Sequence, residues 1–364
     1  MALRRNRKAA IAEQFTKSKA MVFPRQVLAG HNVLRKLPSV MEELGYRKRC
    51  TVITGSRTLK IAGNRVLSAL ERMGIDLSLE MAEEANVESF RRISASVSSF
   101  GPEVVLGVGG GSKIDLGKIV ARETGAAFIS IPTSASHDGI ASPRVSIKSG
   151  GRPLSMEGVM PVAVIADTRI ISGAPYRMLA AGCADVVSNS TALLDWELAV
   201  RRGKDTFSTT AASLSRYASE SIMSNASRIR RNDETSAWLG VRPIIASGLS
   251  MGAAGSSRPA SGSEHLFSHA LDAMNAGKAM HGEQCGVGSI MMMALHGGNW
   301  KAIRSALVSL GCPTDASGLG VSENEIVKAL VMARTMRRER YTILDVRKLD
   351  RDSAYKLARK TMVI

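Results

Sequence analysis

The sequence predicts an α/β N-terminal domain with a parallel sheet, over residues 1–170, and an all-α C-terminal domain, over residues 171–364. Three observations lead to this. The chain has 364 residues, more than one hydrophobic core usually holds. In the first half, short β-rich runs alternate with helix-like segments, as in a parallel sheet covered by helices. After about Thr168 the β-rich runs stop.

The elements follow from the apolar patterns, taken in chain order. In the first half, strands are predicted at Cys50–Thr54, Ile75–Glu80, Glu103–Val108, Ala127–Ile131 and Val162–Ala166, with helices at Thr58–Met73, Val87–Phe100 and Ser112–Thr124. In the second half, helices are predicted at Pro175–Val200, Thr209–Arg230, Glu264–Met274, Gly282–His296, Lys301–Leu310 and Glu323–Met336. The small-residue tract Ala246–Gly262 is expected to be a helix end followed by a loop.

The composition indicates in which cellular compartment the protein is expected. No apolar run approaches the ~20 residues of a membrane span, so we expect no membrane insertion. The segment from Met1 to Ala20 is basic and lacks the apolar stretch of a secretory signal. The four cysteines form no CxxC pair, which fits a reducing compartment. We therefore expect a cytoplasmic protein.

The formal net charge is +17, and such a surplus attracts anions. Phosphorylated small molecules and nucleic acid both belong to this class. A nucleic-acid binder usually concentrates its charge and supplies stacking aromatics, whereas here aromatics are 4% of the chain and the basic residues are spread along it. The composition therefore favours a small anionic partner and no nucleic acid.

A glycine turn, Gly107–Gly117, follows an apolar strand and opens a helix. Glycines let a backbone approach phosphate closely, and a helix N-terminus offers free N–H groups. The dinucleotide fingerprint G-x-G-x-x-G is matched only as G-x-G-x-x-S, and no Walker A motif is present. The turn predicts a Rossmann-like nucleotide site, with a glycine-rich turn without a ligand as the alternative.

Two further loops follow predicted strands. The loop Pro132–Gly139 carries hydroxyls and one carboxylate at the carboxyl end of a buried strand, where α/β sheets bind ligands; standing alone, it is equally well a plain turn. The loop Gly55–Arg57 contains an arginine and no acid to hold a ribose 2′-hydroxyl. It therefore predicts that both NAD(H) and NADP(H) are accepted.

The helical half contains a group of histidines. His265 and His269 are spaced i, i+4 and share one helix face, and His281 opens the next predicted helix. Imidazole is a common metal ligand, and Asp185 offers a carboxylate to complete a three-ligand site. Spacing alone favours His265 and His269 as the ligand pair, with unrelated helix histidines as the alternative.

Together these motifs resemble those of archaeal sn-glycerol-1-phosphate dehydrogenases, within the wider group of glycerol dehydrogenases, iron-type alcohol dehydrogenases and dehydroquinate synthases. The resemblance covers nearly the whole chain. Its segments are Pro24–Arg25, Gly109–Asp115, Pro132–Gly139, Gly182–Asp185, Ser261–Asp272, His281–Gln284 and Arg340–Leu344. One departure is Met362, where a small residue is expected.

The resemblance implies reduction of dihydroxyacetone phosphate to sn-glycerol 1-phosphate by NAD(P)H, the first step of archaeal phospholipid backbone synthesis. It implies one Zn²⁺ per subunit on Asp185, His265 and His281, which polarises the C2 carbonyl for hydride transfer. His269 then faces the substrate instead of the metal. The implied catalytic and substrate-binding residues are Asp138, Asp185 and His269. The implied cofactor contacts are Gly111, Ser112, Lys113, Ile114, Asp115, Thr133, Ser134, Ala135, Ser136 and Ser142.

Several points stay open at the level of sequence. Lys278 and Arg258 are both candidates to bind the substrate phosphate. A glycerol dehydrogenase that acts on the unphosphorylated polyol is the alternative enzyme. A nucleic-acid-binding protein on the same fold is an alternative suggested only by the net charge. We also expect a homo-oligomer.

Overall fold

The computed structural model describes residues 20–149 and 152–364. The basic N-terminal segment therefore lies outside the described residues, except for Ala20. Within the described part, no helix is both long and apolar enough to cross a membrane.

Six parallel strands form one sheet in the order β1-β8-β5-β4-β2-β3. The strands are β1 (Gln26–Gly30), β2 (Arg49–Thr54), β3 (Asp76–Met81), β4 (Val104–Gly109), β5 (Ala127–Pro132) and β8 (Ala163–Asp167), and β6 (Arg144–Ser149) pairs with β7 (Arg152–Glu157) in an antiparallel hairpin. The apolar run of β4 is completely buried at the centre of the sheet, as expected for a strand covered on both faces. The predicted parallel sheet is confirmed.

Three strands were not predicted. β1 lies at the edge of the sheet, pairs only with β8, and leaves Val27 42% exposed, so it lacks the apolar run of an inner strand. The hairpin buries Val145 and Ile147 on one face, but this alternation is short, and Pro153 lies within β7. The five strands that were predicted begin and end within one residue of their expected limits.

All the elements after β8 are helices among the described residues, which confirms the all-α second half. The helices are α1 (Leu37–Leu44), α2 (Ser56–Thr58), α3 (Asn64–Arg72), α4 (Val87–Phe100), α5 (Gly111–Thr124), α6 (Thr168–Ser172), α7 (Tyr176–Arg201), α8 (Thr209–Ile229), α9 (Glu234–Ala254), α10 (Ser263–Ala273), α11 (His281–Leu295), α12 (Trp300–Leu310), α13 (Ala316–Leu319), α14 (Glu323–Ala333), α15 (Ile343–Arg347) and α16 (Arg351–Lys360). A π-helical turn at Leu59–Gly63 joins α2 to α3, and 3-10 turns lie at Val33–Lys36, Asp138–Ala141 and Arg258–Ala260.

Helix α9 is long, yet only its end was predicted. Most of its side chains are buried, so the sequence shows no amphipathic stripe, and Pro243 lies inside the helix. A methyl group on Gly248 would lie 2.6 Å from the carbonyl oxygen of Asp138. The glycine therefore lets α9 pack directly on the turn that carries Asp138.

The hydrophobic core of the helical half continues into the first half. It includes Ala135, Ile140, Val164 and Ala166 together with the buried faces of the later helices. The division of the chain near residue 170 stays a prediction, and the shared core ties the carboxyl edge of the sheet to the helices beyond it.

Met362 has a left-handed backbone with φ of 60°. L-residues with a Cβ avoid this region, and glycine adopts it freely. The side chain is 57% exposed, so packing does not account for methionine at this position. The conformation therefore favours glycine over methionine at this position.

Candidate active site

A cleft of about 640 Å³ lies between the carboxyl edge of the sheet and the helical half. From the first half it is lined by residues of the predicted cofactor loops, including Ser112, Asp115, Ser136 and Ser142. From the helical half it is lined by Asp185 and three histidines, His265, His269 and His281. The predicted nucleotide loops and the predicted metal residues therefore face one space.

The cleft contains a compact group of possible metal ligands: Asp185, His265, His281 and Cys285 each offer a donor atom, and these atoms lie within 4.8 Å of one another. The Nε2 atoms of His265 and His281 lie 3.6 Å and 3.9 Å from Oδ1 of Asp185. The sulfur of Cys285 lies 3.6 Å from Nε2 of His281. Two donors of a tetrahedral zinc site are roughly 3.3–3.6 Å apart, so the group fits such an ion.

The hydrogen bonds around the two imidazoles also fit a metal. Nδ1 of His265 lies 2.9 Å from Oε1 of Glu264. The Ser268 hydroxyl donates to Oε1 of Gln284 at 2.5 Å, which leaves its oxygen to accept the Nδ1–H of His281 at 3.1 Å. Metal-binding histidines usually donate their second ring N–H in this way. In both rings the Nε2 lone pair is then directed toward Asp185.

Two glycines allow the helices that carry these residues to approach closely. A Cβ on Gly282 would lie 1.9 Å from the carbonyl oxygen of Ala181, and one on Gly182 would lie 2.1 Å from that of Ala135. No real side chain tolerates such contacts. The pair therefore lets α7 contact both the start of α11 and the Pro132–Gly139 loop, which brings Asp185 to His281.

His269 lines the cleft but lies outside the donor group. Its ring centroid is 6.5 Å from that of His265 and 6.2 Å from that of His281, while the rings of His265 and His281 are 4.9 Å apart. Burial, and to a smaller extent the neighbouring His281, lower the pKa of His269 to about 2. The ring is therefore neutral. The i, i+4 pair favoured by spacing alone is not the pair that the structure brings closest.

Asp138 begins the 3-10 turn at the end of the Pro132–Gly139 loop. Its Oδ2 accepts a hydrogen bond of 2.7 Å from the hydroxyl of Ser247, which in turn accepts one of 2.9 Å from the amide of Asn189. Burial raises the pKa of Asp138 to about 7, and the nearby carboxylate of Asp185 acts in the same direction. Asp138 can therefore gain or release a proton near neutral pH.

The glycine turn leads directly into α5, whose first residue is Gly111. A Cβ on Gly111 would lie 1.9 Å from Nε2 of His137, so the glycine makes room for that ring. The Thr133 N–H donates to the carbonyl of Gly109 at 2.9 Å, which holds the two loops together. The free N–H groups at the start of α5 suit a phosphate.

The side chains after Ser112 have different surroundings. Lys113 reaches the carbonyl of Glu83, and Ile114 is fully buried in the core. Asp115 forms an ion pair of 2.8 Å with the buried Lys118 and accepts a bond from the Ser146 N–H. Any contact of Ile114 with a cofactor therefore comes from its backbone.

An acid lies beside the Gly55–Arg57 loop, although the loop itself has none. Glu83, which follows β3, accepts hydrogen bonds from the backbone N–H of Ser56, at 2.9 Å, and from its hydroxyl. The role of Glu83 is not evident from the sequence, because Glu83 follows a different strand from the one that leads into the loop. Neighbouring parallel strands share an edge, so β3 also contributes to this site.

The two basic candidates for the substrate phosphate are placed differently from each other. Arg258 is 7% exposed, and it is bound to Asp205 at 2.5 Å and to the carbonyl of Tyr341 at 2.9 Å. Lys278 is exposed and does not line the cleft, although Gly277 and Ala279 do. Neither side chain offers free donors to the interior of the cleft.

Sequence reasoning missed Cys285 and Glu264 in this site. Cys285 lies four residues after His281, on the same face of α11, and this spacing is a usable signal. Glu264 directly precedes His265, but adjacency in a helix does not predict contact. The contact between them needs the folded start of α10.

The chain resembles known proteins in both sequence and fold. The family model of iron-containing alcohol dehydrogenases matches residues 28–175. A relative from Methanothermobacter thermautotrophicus, named glycerol-1-phosphate dehydrogenase with NAD(P)+ as cofactor, is 48% identical over 94% of this chain and 98% of its own. A relative of the same name from Thermoplasma volcanium is 43% identical over 96% of this chain and 100% of its own.

Solved structures show the same fold at low sequence identity. The glycerol dehydrogenase of Schizosaccharomyces pombe superposes with a TM-score of 0.77, at 18% identity, over 96% of this chain and 92% of its own. The sulfoacetaldehyde reductase of Bifidobacterium kashiwanohense, solved in complex with NAD+, gives a TM-score of 0.73 at 14% identity, over 94% of this chain and 98% of its own.

Proposed function

The chain belongs to the family of NAD(P)-dependent glycerol-1-phosphate dehydrogenases, and from this premise we propose that it reduces dihydroxyacetone phosphate to sn-glycerol 1-phosphate. The observation that carries the proposal is the shared cleft: a glycine turn suited to a dinucleotide faces a group of metal ligands. In the reaction, the C2 ketone gains a hydride and a proton, and NAD(P)H becomes NAD(P)+. The product would serve as the glycerophosphate backbone of membrane lipids.

Asp185, His265 and His281 are proposed to hold one Zn²⁺ per subunit. Their donor separations and the bonded Nδ1 atoms support this choice. When bound, zinc supplies Lewis-acid polarisation of the C2 carbonyl. The thiol of Cys285 lies within reach of the same point. The three other residues are assigned as the ligands because they lie in the segments that resemble the family, Gly182–Asp185, Ser261–Asp272 and His281–Gln284.

The cofactor is proposed to lie along the glycine turn. Its phosphates would meet the N–H groups of Gly111 and Ser112 at the start of α5. The nicotinamide supplies the hydride when bound. The further contacts are proposed to come from Lys113, Ile114, Asp115, Thr133, Ser134, Ala135, Ser136 and Ser142.

Asp138 and His269 are proposed to act on the substrate. Oδ2 of Asp138 is held by Ser247, and its carboxyl can hold a proton near neutral pH. This suits a group that binds a hydroxyl and exchanges a proton with it. His269 is neutral and lines the cleft, so its ring nitrogens can hydrogen-bond a substrate hydroxyl without adding charge.

A cytoplasmic homo-oligomer is the proposed form of the enzyme. Apolar side chains at Met21, Val22 and Phe23, which precede the edge strand β1, and at Val27 within it are each more than 40% exposed, and exposed apolar surface of this kind often marks an interface. Sedimentation of the purified protein tests the association. A single species of monomer mass would contradict it.

The test of the function compares two ketones in the zinc-loaded protein. Oxidation of NADH and NADPH is followed with dihydroxyacetone phosphate and with dihydroxyacetone, and the chirality of the product is determined. We expect a large preference for the phosphorylated ketone, because phosphate binding energy also orients the keto group. Equal kcat/KM for both ketones would favour a glycerol dehydrogenase instead, and sn-glycerol 3-phosphate as product would refute the stereochemical proposal.

A further inference from the structure

A basic turn, Arg334–Arg340, follows α14 and reaches the cleft. Of its arginines, Arg334 pairs with Asp345 at 3.2 Å, and Arg340 donates to Ser257 and to the carbonyl of Ser261. Arg337 lines the cleft. Among the residues described, its guanidinium has neither a carboxylate within 4.0 Å nor a hydrogen-bond partner. Its donors are therefore available to a ligand.

A second arginine lines the same cleft from the other half of the molecule. Arg144 begins β6, and its backbone is fixed by the Ser142 hydroxyl and by Nζ of Lys118. Its Nε is buried and makes no hydrogen bond. A buried donor without a partner carries a free-energy cost. The terminal nitrogens of Arg144 also have no partner among the described residues, and they are the atoms available to a ligand in the cleft.

The charges of these arginines reinforce one another. Burial lowers the pKa of Arg337, the carboxylate of Glu339 acts against this shift, and the nearby charge of Arg144 lowers the pKa as well. Two arginines thus line the cleft that also holds the metal-ligand group, and their charges favour a dianion there.

We propose that Arg337 and Arg144 bind the phosphate of the substrate, one from each half of the chain. The inference rests on the proposed function and assigns the residues that make the enzyme specific for a phosphorylated ketone. Guanidinium groups offer paired donors that match phosphate oxygens. Arg258 is already bound to Asp205 and Lys278 lies outside the cleft, so among the described residues Arg144 and Arg337 are the only arginine or lysine side chains that line it.

The test measures kcat/KM for dihydroxyacetone phosphate and for dihydroxyacetone in the zinc-loaded wild type, Arg337→Met and Arg144→Met. Methionine keeps much of the apolar stem and removes the charge. Loss of charged hydrogen bonds should lower kcat/KM for the phosphorylated ketone about 100-fold or more, with the value for dihydroxyacetone within about threefold of wild type. The exposed neighbour Arg338, changed to Ala, is the matched control and should behave as wild type.

Inorganic phosphate provides a second readout. It should inhibit the wild type competitively against dihydroxyacetone phosphate, and this inhibition should weaken in Arg337→Met and Arg144→Met. If one variant does not fold, as judged by circular dichroism, the other decides on the same measurements. Unchanged preference for the phosphorylated ketone in a folded variant would overturn the inference and leave the proposed function intact. No preference in the wild type would overturn the proposed function itself.

Discussion

Oε1 of Glu264 lies 2.9 Å from Nδ1 of His265, although the two residues are neighbours in the chain. The carboxylate is fully buried, and it also accepts hydrogen bonds from the backbone N–H of Gly262 and from the hydroxyl of Thr191, at 2.5 Å and 3.0 Å. These partners keep the carboxylate from turning away. Glu264 therefore fixes the His265 ring so that Nε2 faces Asp185.

Replacing Glu264 by Gln should weaken metal binding. The amide keeps the size of the side chain but has no negative charge. That charge makes the His265 imidazole more basic and so a stronger metal ligand, and losing such a partner costs about 10- to 100-fold in metal affinity. Competition with a chromophoric chelator measures the change in affinity. Glu220→Gln, at an exposed position on α8, is the control. Equal zinc affinity in Glu264→Gln and wild type would contradict the assigned role.

Two variants should distinguish the roles of the metal ligands from the role of His269. His281→Ala removes a proposed ligand, so we expect loss of zinc and of activity. His269→Ala removes a ring that lies outside the donor group, so zinc should stay while turnover falls. Metal content is measured by mass spectrometry after gel filtration, with chelator-treated and zinc-restored wild type as references. Equal loss of zinc in both variants would restore the i, i+4 pair as the ligands.

The sequence could predict the inner strands and the helix that follows the glycine turn because their apolar patterns are local. It could not predict which histidines meet Asp185 by spacing, since His265 and His281 come from different helices and the turn between them decides their distance. Resemblance to a known family supplied that choice. Helix α9 could not be predicted because it is buried on nearly all sides, so its sequence shows no helical periodicity. Glu83 could not be predicted because the pairing of β3 with β2 brings it to a loop that is distant in the sequence.

Gly282 should not tolerate a side chain. An added methyl would lie 1.9 Å from the carbonyl of Ala181, so α7 and α11 would have to separate, and overpacking of this kind costs about 1–3 kcal/mol. The shift would also move His281 away from Asp185. Gly282→Ala should therefore lower both the free energy of unfolding in urea and the affinity for zinc.

The control for this prediction is Gly173→Ala. Its added methyl would meet no atom nearer than 3.3 Å, and its backbone is in the right-handed region, with φ of −79°. The nearest atom is the carbonyl oxygen of Ile170, a tight contact but not a clash, so this variant should lose much less stability than Gly282→Ala. A Gly282→Ala protein that keeps wild-type stability and zinc affinity would show that the two helices do not need their close contact.

Discrimination between NADH and NADPH should depend on two side chains of opposite charge beside Ser56. Arg57 is the exposed last residue of the loop, and Glu83 accepts both hydrogen bonds from Ser56. A 2′-phosphate at this edge of the sheet would be attracted by the arginine and repelled by the glutamate. We expect both cofactors to work, with kcat/KM values within about 100-fold of each other, or roughly 3 kcal/mol.

Arg57→Ala should then reduce kcat/KM for NADPH more than for NADH, and Glu83→Gln should shift the ratio toward NADPH. Steady-state kinetics with saturating ketone measure both ratios. Equal effects on the two cofactors in both variants would show that this loop does not distinguish the 2′ position.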